Sequence, residues 1–131
     1  MNSIYGNSIL LSTKALDYLW EKESVISNNL ANVETPGYKA KYITFEDELK
    51  SRLDALASDG EEVQSDKVAH AIQNSTYQIH ESKDESSRLD GNNVNADVEL
   101  MEMTRTALQY QYILNSVSSD VTRLNTVIKG Q

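Results

Sequence analysis

The sequence predicts a mainly α fold, with long N- and C-terminal helices pairing as a coiled-coil-like hairpin and a small, partly irregular middle segment. Three observations predict it. Glycine (5) and proline (1) are scarce among the 131 residues. Apolar residues recur at spacings of 3 and 4 near both chain ends, the period of an amphipathic helix. The formal net charge of −8 is unevenly spread: residues 1–42 carry 4 basic and 4 acidic side chains, residues 43–90 carry 5 and 12, and residues 91–131 carry 3 and 4. The near-neutral ends can approach each other, or copies of themselves, without long-range repulsion. The acidic middle stays solvated and disfavours nucleic acid.

The first helix is predicted from Ile9, Ser12, Leu16, Leu19, Glu23, Ile26, Leu30 and Val33, a seam with Ser12 and Glu23 as polar gaps. Leu11, Ala15, Tyr18, Trp20 and Val25 add apolar surface beside it. The helix is expected to end near Asn32, because Thr35-Pro36-Gly37-Tyr38 follows. Pro at the second position and Gly at the third is the type II turn arrangement, with Gly at positive φ. Asn28, Asn29 and Asn32 cluster at the helix end. They read either as simple capping or as amides that orient the turn and a neighbouring chain.

A second helix is expected over about Phe45 to Ala57, where Phe45, Leu49, Leu53 and Leu56 share a face and Thr44 and Asp47 have capping-box spacing. Val68, Ala69 and Ile72 mark a short helix or strand, and Thr76-Tyr77-Gln78-Ile79 alternates as a strand does. Glu81 to Asn93 reads as a solvated loop. This middle segment lacks the apolar residues for a core of its own.

The C-terminal helix carries the strongest pattern. Leu100, Met103, Ala107, Tyr110, Leu114, Val117, Val121, Leu124 and Ile128 form an uninterrupted seam, with no Gly or Pro from Asn92 to Lys129. Such a seam over four heptads argues for coiled-coil packing. A second stripe of Leu108, Tyr112 and Ile113 widens the apolar face, so the helix is expected to meet more than one neighbour. Asn93 or Asn95 caps the start, Asp97 and Glu99 complement the helix dipole, and Gly130 is a natural stop.

The chemistry of enzymes is not visible. The two histidines, His70 and His80, stand beside no nucleophile motif. His80, Glu81, Asp84 and Glu85 match neither a zinc motif nor a calcium loop. With no cysteine there is no thiolate site. The reading is therefore no catalytic residue, no cofactor and no metal. No stretch has the ~20 apolar residues of a membrane span. Met1 to Gly6 lack the basic start and apolar run of a cleaved export signal.

Ser27-Asn28-Asn29-Leu30-Ala31-Asn32-Val33-Glu34-Thr35-Pro36-Gly37-Tyr38-Lys39 resembles the N-terminal motif of the flagellar rod and hook protein family. Its motif positions here are Asn29, Leu30, Ala31, Asn32, Thr35, Pro36, Gly37 and Tyr38. Leu16-Asp17-Tyr18-Leu19-Trp20, Gly91-Asn92-Asn93-Val94 with Asp97 and Glu99, and Leu108-Gln109-Tyr110-Gln111-Tyr112 are similar to a proximal rod subunit of that family. Asn95 stands where Asp is expected, which predicts a weaker cap. The resemblance implies a structural subunit exported by the flagellar type III apparatus without signal cleavage and assembled in the periplasmic rod of the basal body. It implies residues 1–34 and 91–131 as an inner, tube-forming domain and 35–90 as the middle segment. The partners implied are copies of itself, other rod proteins, the membrane-ring protein and the rod-base adaptor. The assembly seam would comprise Leu16, Leu19, Ile26 and Leu30 with the nine seam residues from Leu100 to Ile128. The alternative from the residues alone is a soluble coiled-coil adaptor or export chaperone, which leaves the Asn-rich run into Thr-Pro-Gly-Tyr without a purpose.

Overall fold

The computed structural model describes residues 4–45, 49–51, 54 and 65–130. Helix α1 spans Ile4–Ala31 and helix α3 spans Ala96–Lys129, 28 and 34 residues. They run side by side as the predicted hairpin: Lys22 meets Glu102 near the turn, and Leu11 lies with Tyr112 and Ile113 further along. Between them lie strand β1 (Lys41–Thr44), helix α2 (Ser65–Asn74) and strand β2 (Gln78–Glu81). Of the helix expected over Phe45 to Ala57, residues 49–51 and 54 are helical and the Leu49 amide donates to the Phe45 carbonyl at 2.9 Å. The rest of that stretch lies outside the described residues.

The strands pair antiparallel, with Lys41 opposite Glu81 and Ile43 opposite Ile79. The sheet begins two residues later than the Thr76–Ile79 alternation indicates, and its β1 partner was not expected from sequence. Tyr42 stacks on His80 with ring centroids 5.2 Å apart, and Thr44 Oγ1 lies 3.0 Å from His80 Nε2. One histidine is thus part of the strand pair, while His70 is exposed on α2.

The middle segment has no core of its own and uses that of α1. Tyr18 and Leu19 of α1 are buried with Ile43 and Phe45, and Leu49, Tyr110 and Ile113 pack against them. Tyr18 and Phe45 stack at 5.3 Å. α2 buries Ala69 and Ile72. It is tied to α1 at both ends: Asn7 Nδ2 donates to the Ser65 carbonyl and hydroxyl, and Lys14 Nζ donates to the Ser75 carbonyl just beyond the helix. A cation there also complements the helix dipole.

α3 starts on Asn95, whose side chain accepts from the Asp97 and Val98 amides at 3.1 and 3.3 Å. Asn thus caps this helix as Asp would. Gly130 follows the last turn at φ −80, so the helix ends without the left-handed cap that a terminal glycine suggests.

α1 ends and α3 starts at the turn end of the hairpin, and α3 is the longer, so its last turns run past the described part of α1. Val127 and Ile128 there are 72% and 75% exposed. Helical segments draw most of their stability from packing. Amide hydrogen exchange on the isolated subunit is therefore expected to be slowest around residues 26–45 and 92–106 and fastest at 121–129. Uniform protection along α3 would contradict this.

Candidate functional site: a clasp between two motifs

The two motifs that carry the family resemblance lie against each other in space. The last turn of α1 unwinds through tight turns: the Asn32, Val33 and Thr35 amides donate to the Asn29, Leu30 and Asn32 carbonyls. Asn32 Nδ2 reaches back to the Asn28 carbonyl, and its Oδ1 accepts from the Thr35 hydroxyl. Next comes the predicted turn. The Tyr38 amide donates to the Thr35 carbonyl at 3.2 Å and Gly37 sits at φ 72. That is the type II geometry, with glycine where a side chain is disfavoured.

Asn29 is 1% exposed. Its Nδ2 donates to the Lys41 carbonyl at 2.7 Å, and its Oδ1 accepts from the Lys41 amide at 2.9 Å and from Tyr38 Oη at 3.2 Å. The side-chain amide thus pairs with Lys41 as a neighbouring strand would, and fixes where β1 begins.

Asn92 is 0% exposed and performs the reciprocal task from the other motif. Its Nδ2 donates toward the Asn32, Val33 and Thr35 carbonyls at 2.8, 3.1 and 2.8 Å. Its Oδ1 accepts from the Val94 amide at 2.8 Å. One amide therefore serves carbonyls left over where α1 ends, groups that any helix must satisfy somehow. Arg88 adds a charged donor to the Val33 carbonyl at 2.7 Å and pairs with Asp90 at 2.9 Å. Backbone bonds close the clasp: the Gly37 amide donates to the Asp90 carbonyl, the Asn93 amide to the Tyr38 carbonyl, and the Ala40 amide to Asn93 Oδ1. Lys39 Nζ donates to the Gly91 carbonyl, and the Ser86 hydroxyl donates to the Asn92 carbonyl. Gly91, at φ 77, lies over Gly37.

The stretch expected as a solvated loop is thus corrected for residues 86–93. Arg88, Asn92 and Asn93 bond the backbone in and beside the first motif, while Ser86 and Asp90 brace their own segment. Arg88, Asp90 and Asn92 were not singled out as site residues from sequence. The available signal was the Asp-Gly-Asn-Asn run, a turn composition whose polar groups need partners.

Charge surrounds the clasp on the α3 side. Burial pushes the Glu99 carboxyl above its usual range, against the hydrogen bond from Asn29, while Glu102 raises it further and Lys22 opposes. The hydrogen bond from Lys22, at 2.9 Å, pulls Glu102 down. The signs are opposite. The Glu99 contribution favours the fold at low pH and is lost as pH rises through its raised value. The Glu102 contribution is present above the unfolded value and is lost as pH falls through its lowered one. Accordingly, Glu99→Gln is expected to raise the denaturation midpoint at pH 7 with little effect at pH 3. Glu102→Gln is expected to lower it at pH 7. Urea titrations of both variants across that range test the assignment.

The predicted residues fall in three environments. In the turn motif, Asn29 is buried, Leu30, Asn32 and Tyr38 are half-buried, and Ala31, Thr35, Pro36 and Gly37 are exposed. On α1, Leu19 and Ile26 are buried and Leu16 half-buried. On α3 the seam divides. Met103, Tyr110, Val117 and Leu124 are half-buried, around a fully buried Thr106. Leu100, Ala107, Leu114, Val121 and Ile128 are exposed. In the second stripe Leu108 and Tyr112 are 63% and 76% exposed while Ile113 packs on the core. An apolar groove of about 660 Å³ runs there between the helices, with Leu11, Phe45 and Leu49 in its walls.

Among the described residues no His, Asp or Glu group is arranged to hold a metal ion, and no helix is long and apolar enough to cross a membrane. What the clasp does is hold two distant segments in one geometry.

The family model described as flagella basal body rod protein matches residues 22–39, the end of α1 and the turn of the clasp. The class of protein, that of the flagellar basal-body rod, is shown by relatives that match nearly the whole chain. The flagellar basal body rod protein FlgB of Bacillus subtilis is 34% identical over 131 residues, covering 98% of each chain. FlgB of Borreliella burgdorferi is 32% identical over 132 residues, covering 95% of this chain and 98% of its own. FlgB of Escherichia coli is 30% identical over 123 residues, covering 89% of each. The chain belongs to the FlgB family of flagellar basal-body rod proteins.

Proposed function

We propose that the chain is a structural subunit of the proximal flagellar rod, assembling with its neighbours into the periplasmic drive shaft. The observation that carries this reading is the open stripe along α3. Leu100, Leu114, Val121 and Ile128 are 52%, 48%, 44% and 75% exposed, on the same face, in a chain whose relatives are rod proteins. Contiguous exposed apolar surface of this kind marks an interaction site. Residues 1–34 and 91–131 form the inner, tube-forming part and 35–90 the segment outside it. The role is mechanical rather than catalytic and needs no cofactor. The neighbours are copies of the chain, other rod proteins, the membrane-ring protein and the rod-base adaptor. Delivery is through the type III apparatus without signal cleavage. Heterologous patches build open helical assemblies of this sort.

Leu114→Asp tests the reading. Leu114 is half-exposed in the subunit, so the fold and export are expected to persist. A charge in the buried stripe of the rod is expected to abolish rod completion and swimming. Normal swimming with Leu114→Asp would exclude this stripe as an interface, and absence of the unaltered chain from purified basal bodies would exclude the function.

A further inference from the structure

Two apolar surfaces lie on opposite flanks of the α1–α3 hairpin, and Leu19, in the line of contact between the helices, borders both. On one flank Ala15, Tyr18, Leu108, Gln109 and Tyr112 wall the groove of about 660 Å³. On the other, Trp20 stands beside Ala107 and Tyr110, at the edge of the open stripe. Positions 18 and 20 are ~200° apart around α1, as are 107 and 109 around α3, at 3.6 residues per turn. Trp20 therefore cannot reach the groove of its own chain.

Trp20 is the sole tryptophan and, among the described residues of α1, the one large apolar side chain left exposed, at 69%. An exposed aromatic of this size is the kind of side chain that anchors an interface. Of the other exposed aromatics, Tyr112 belongs to the groove itself, Tyr42 is stacked on His80, and Tyr77 is the least exposed at 41%. The groove suits an indole. Its walls are aliphatic and aromatic, and the Gln109 amide there can accept from the indole N–H, a group that needs a partner once buried. Exposed Leu, Val and Ile side chains have no such donor. Charge agrees. The residues three and four places from Trp20 are Leu16, Asp17, Glu23 and Ser24, two acids and no base. The same positions around the helical walls of the groove are charged only at Lys14, Glu21, Lys22 and Arg105, three bases and one acid. Even with Lys22 held by Glu102, bases outnumber acids there. Surfaces of opposite sign favour one register of approach. We propose that this groove receives the Trp20 side chain of a second copy of the chain. The contact rests on the self-assembling role given above. It joins one flank of a hairpin to the opposite flank of the next, so it is heterologous and propagates instead of closing.

Benzoylphenylalanine in place of Trp20 keeps an aromatic body and cross-links on irradiation to what it touches. In basal bodies from cells that also carry the native chain, irradiation is expected to give a covalent dimer of the chain. Its link is expected to run from position 20 to a peptide holding residues 11–18 or 108–113. A link to another part of the chain or to a different rod protein overturns the contact, as does incorporated chain that stays monomeric. Substitution gives the second measurement. Trp20→Ala removes an exposed side chain, so the urea midpoint of the purified subunit is expected to match that of the native chain, while completed rods fall roughly tenfold or more. Trp20→Phe is expected to fall between the two. Leu108→Glu places a charge in the groove wall at a residue 63% exposed, and is expected to lose rods as Trp20→Ala does. Native rod numbers and swimming with Trp20→Ala or with Leu108→Glu also overturn the contact. Native chain missing from basal bodies would instead remove the rod function on which it depends.

Discussion

Asn92→Asp is expected to be the most damaging single-atom change in this protein. It replaces the nitrogen that faces the Asn32, Val33 and Thr35 carbonyls by an oxygen, in a residue with no solvent exposure. Three hydrogen bonds become three acceptor–acceptor contacts, and a carboxylate is buried close to Asp90, whose Oδ1 accepts from the Asn92 amide. Asn92→Ala loses the same bonds without adding the charge. Its expected cost is about 2–4 kcal/mol, since each buried group left unpaired costs ~1–3 kcal/mol and the Val33 carbonyl retains its bond from Arg88. The Asp variant should therefore be worse than the Ala variant at neutral pH. The difference should narrow in acid, where the introduced carboxyl group is protonated and can donate once. Urea denaturation of the purified subunit, followed by far-UV circular dichroism, measures both variants. A cost below about 0.5 kcal/mol for Asn92→Ala, the scale of an ordinary surface substitution, would mean that the clasp is not formed in the free subunit.

Gly37→Val is expected to be exported but not incorporated into rods. Gly37 occupies φ 72, and a Cβ built on it would meet nothing within 4 Å. The penalty is therefore one of backbone conformation and not of crowding. An L-residue in the left-handed region costs about 1–2 kcal/mol, with Asn the most tolerant, and a β-branched side chain is a worse fit still. Escape from that penalty would rotate the turn and break the bond from the Gly37 amide to the Asp90 carbonyl, which ties the first motif to the second. In a helical assembly the same displacement recurs in every copy. The expected order of damage is Val, then Ala, then Asn, read as swimming and as rod completion in isolated basal bodies. Equal, wild-type behaviour of all three would show that the positive-φ turn is not needed for assembly.

The legible parts of this fold were the local ones. The turn over Thr35 to Tyr38 follows from Pro36 and Gly37 alone, because φ preferences act within a residue. The two long helices follow from apolar spacing and from the absence of breakers. The clasp was not legible as a clasp. Asn92 and Thr35 are 57 positions apart, and no local preference states that one amide will serve three carbonyls so far away in the chain. The strands escaped for a related reason. Lys41-Tyr42-Ile43-Thr44 has no clean alternation, with only Ile43 buried, and its start is set by the Asn29 amide pairing with Lys41.

The α3 seam shows the division most clearly. Spacings of 3 and 4 from Leu100 to Ile128 determine that the segment is a helix with an apolar stripe, and the near-neutral ends of the chain allow such helices to meet. Those properties belong to the sequence by itself, because they depend on residue order and helical period. Which half of the stripe faces inward was decided by the tertiary structure. The clasp fixes where α3 leaves the turn, and the Lys22–Glu102 pair and buried Thr106 fix its rotation against α1. Met103, Tyr110, Val117 and Leu124 turn partly inward, while Leu100, Leu114, Val121 and Ile128 remain open. A helix rotates as a rigid body about contacts made elsewhere in the chain, and a one-dimensional pattern carries no reference direction for that rotation.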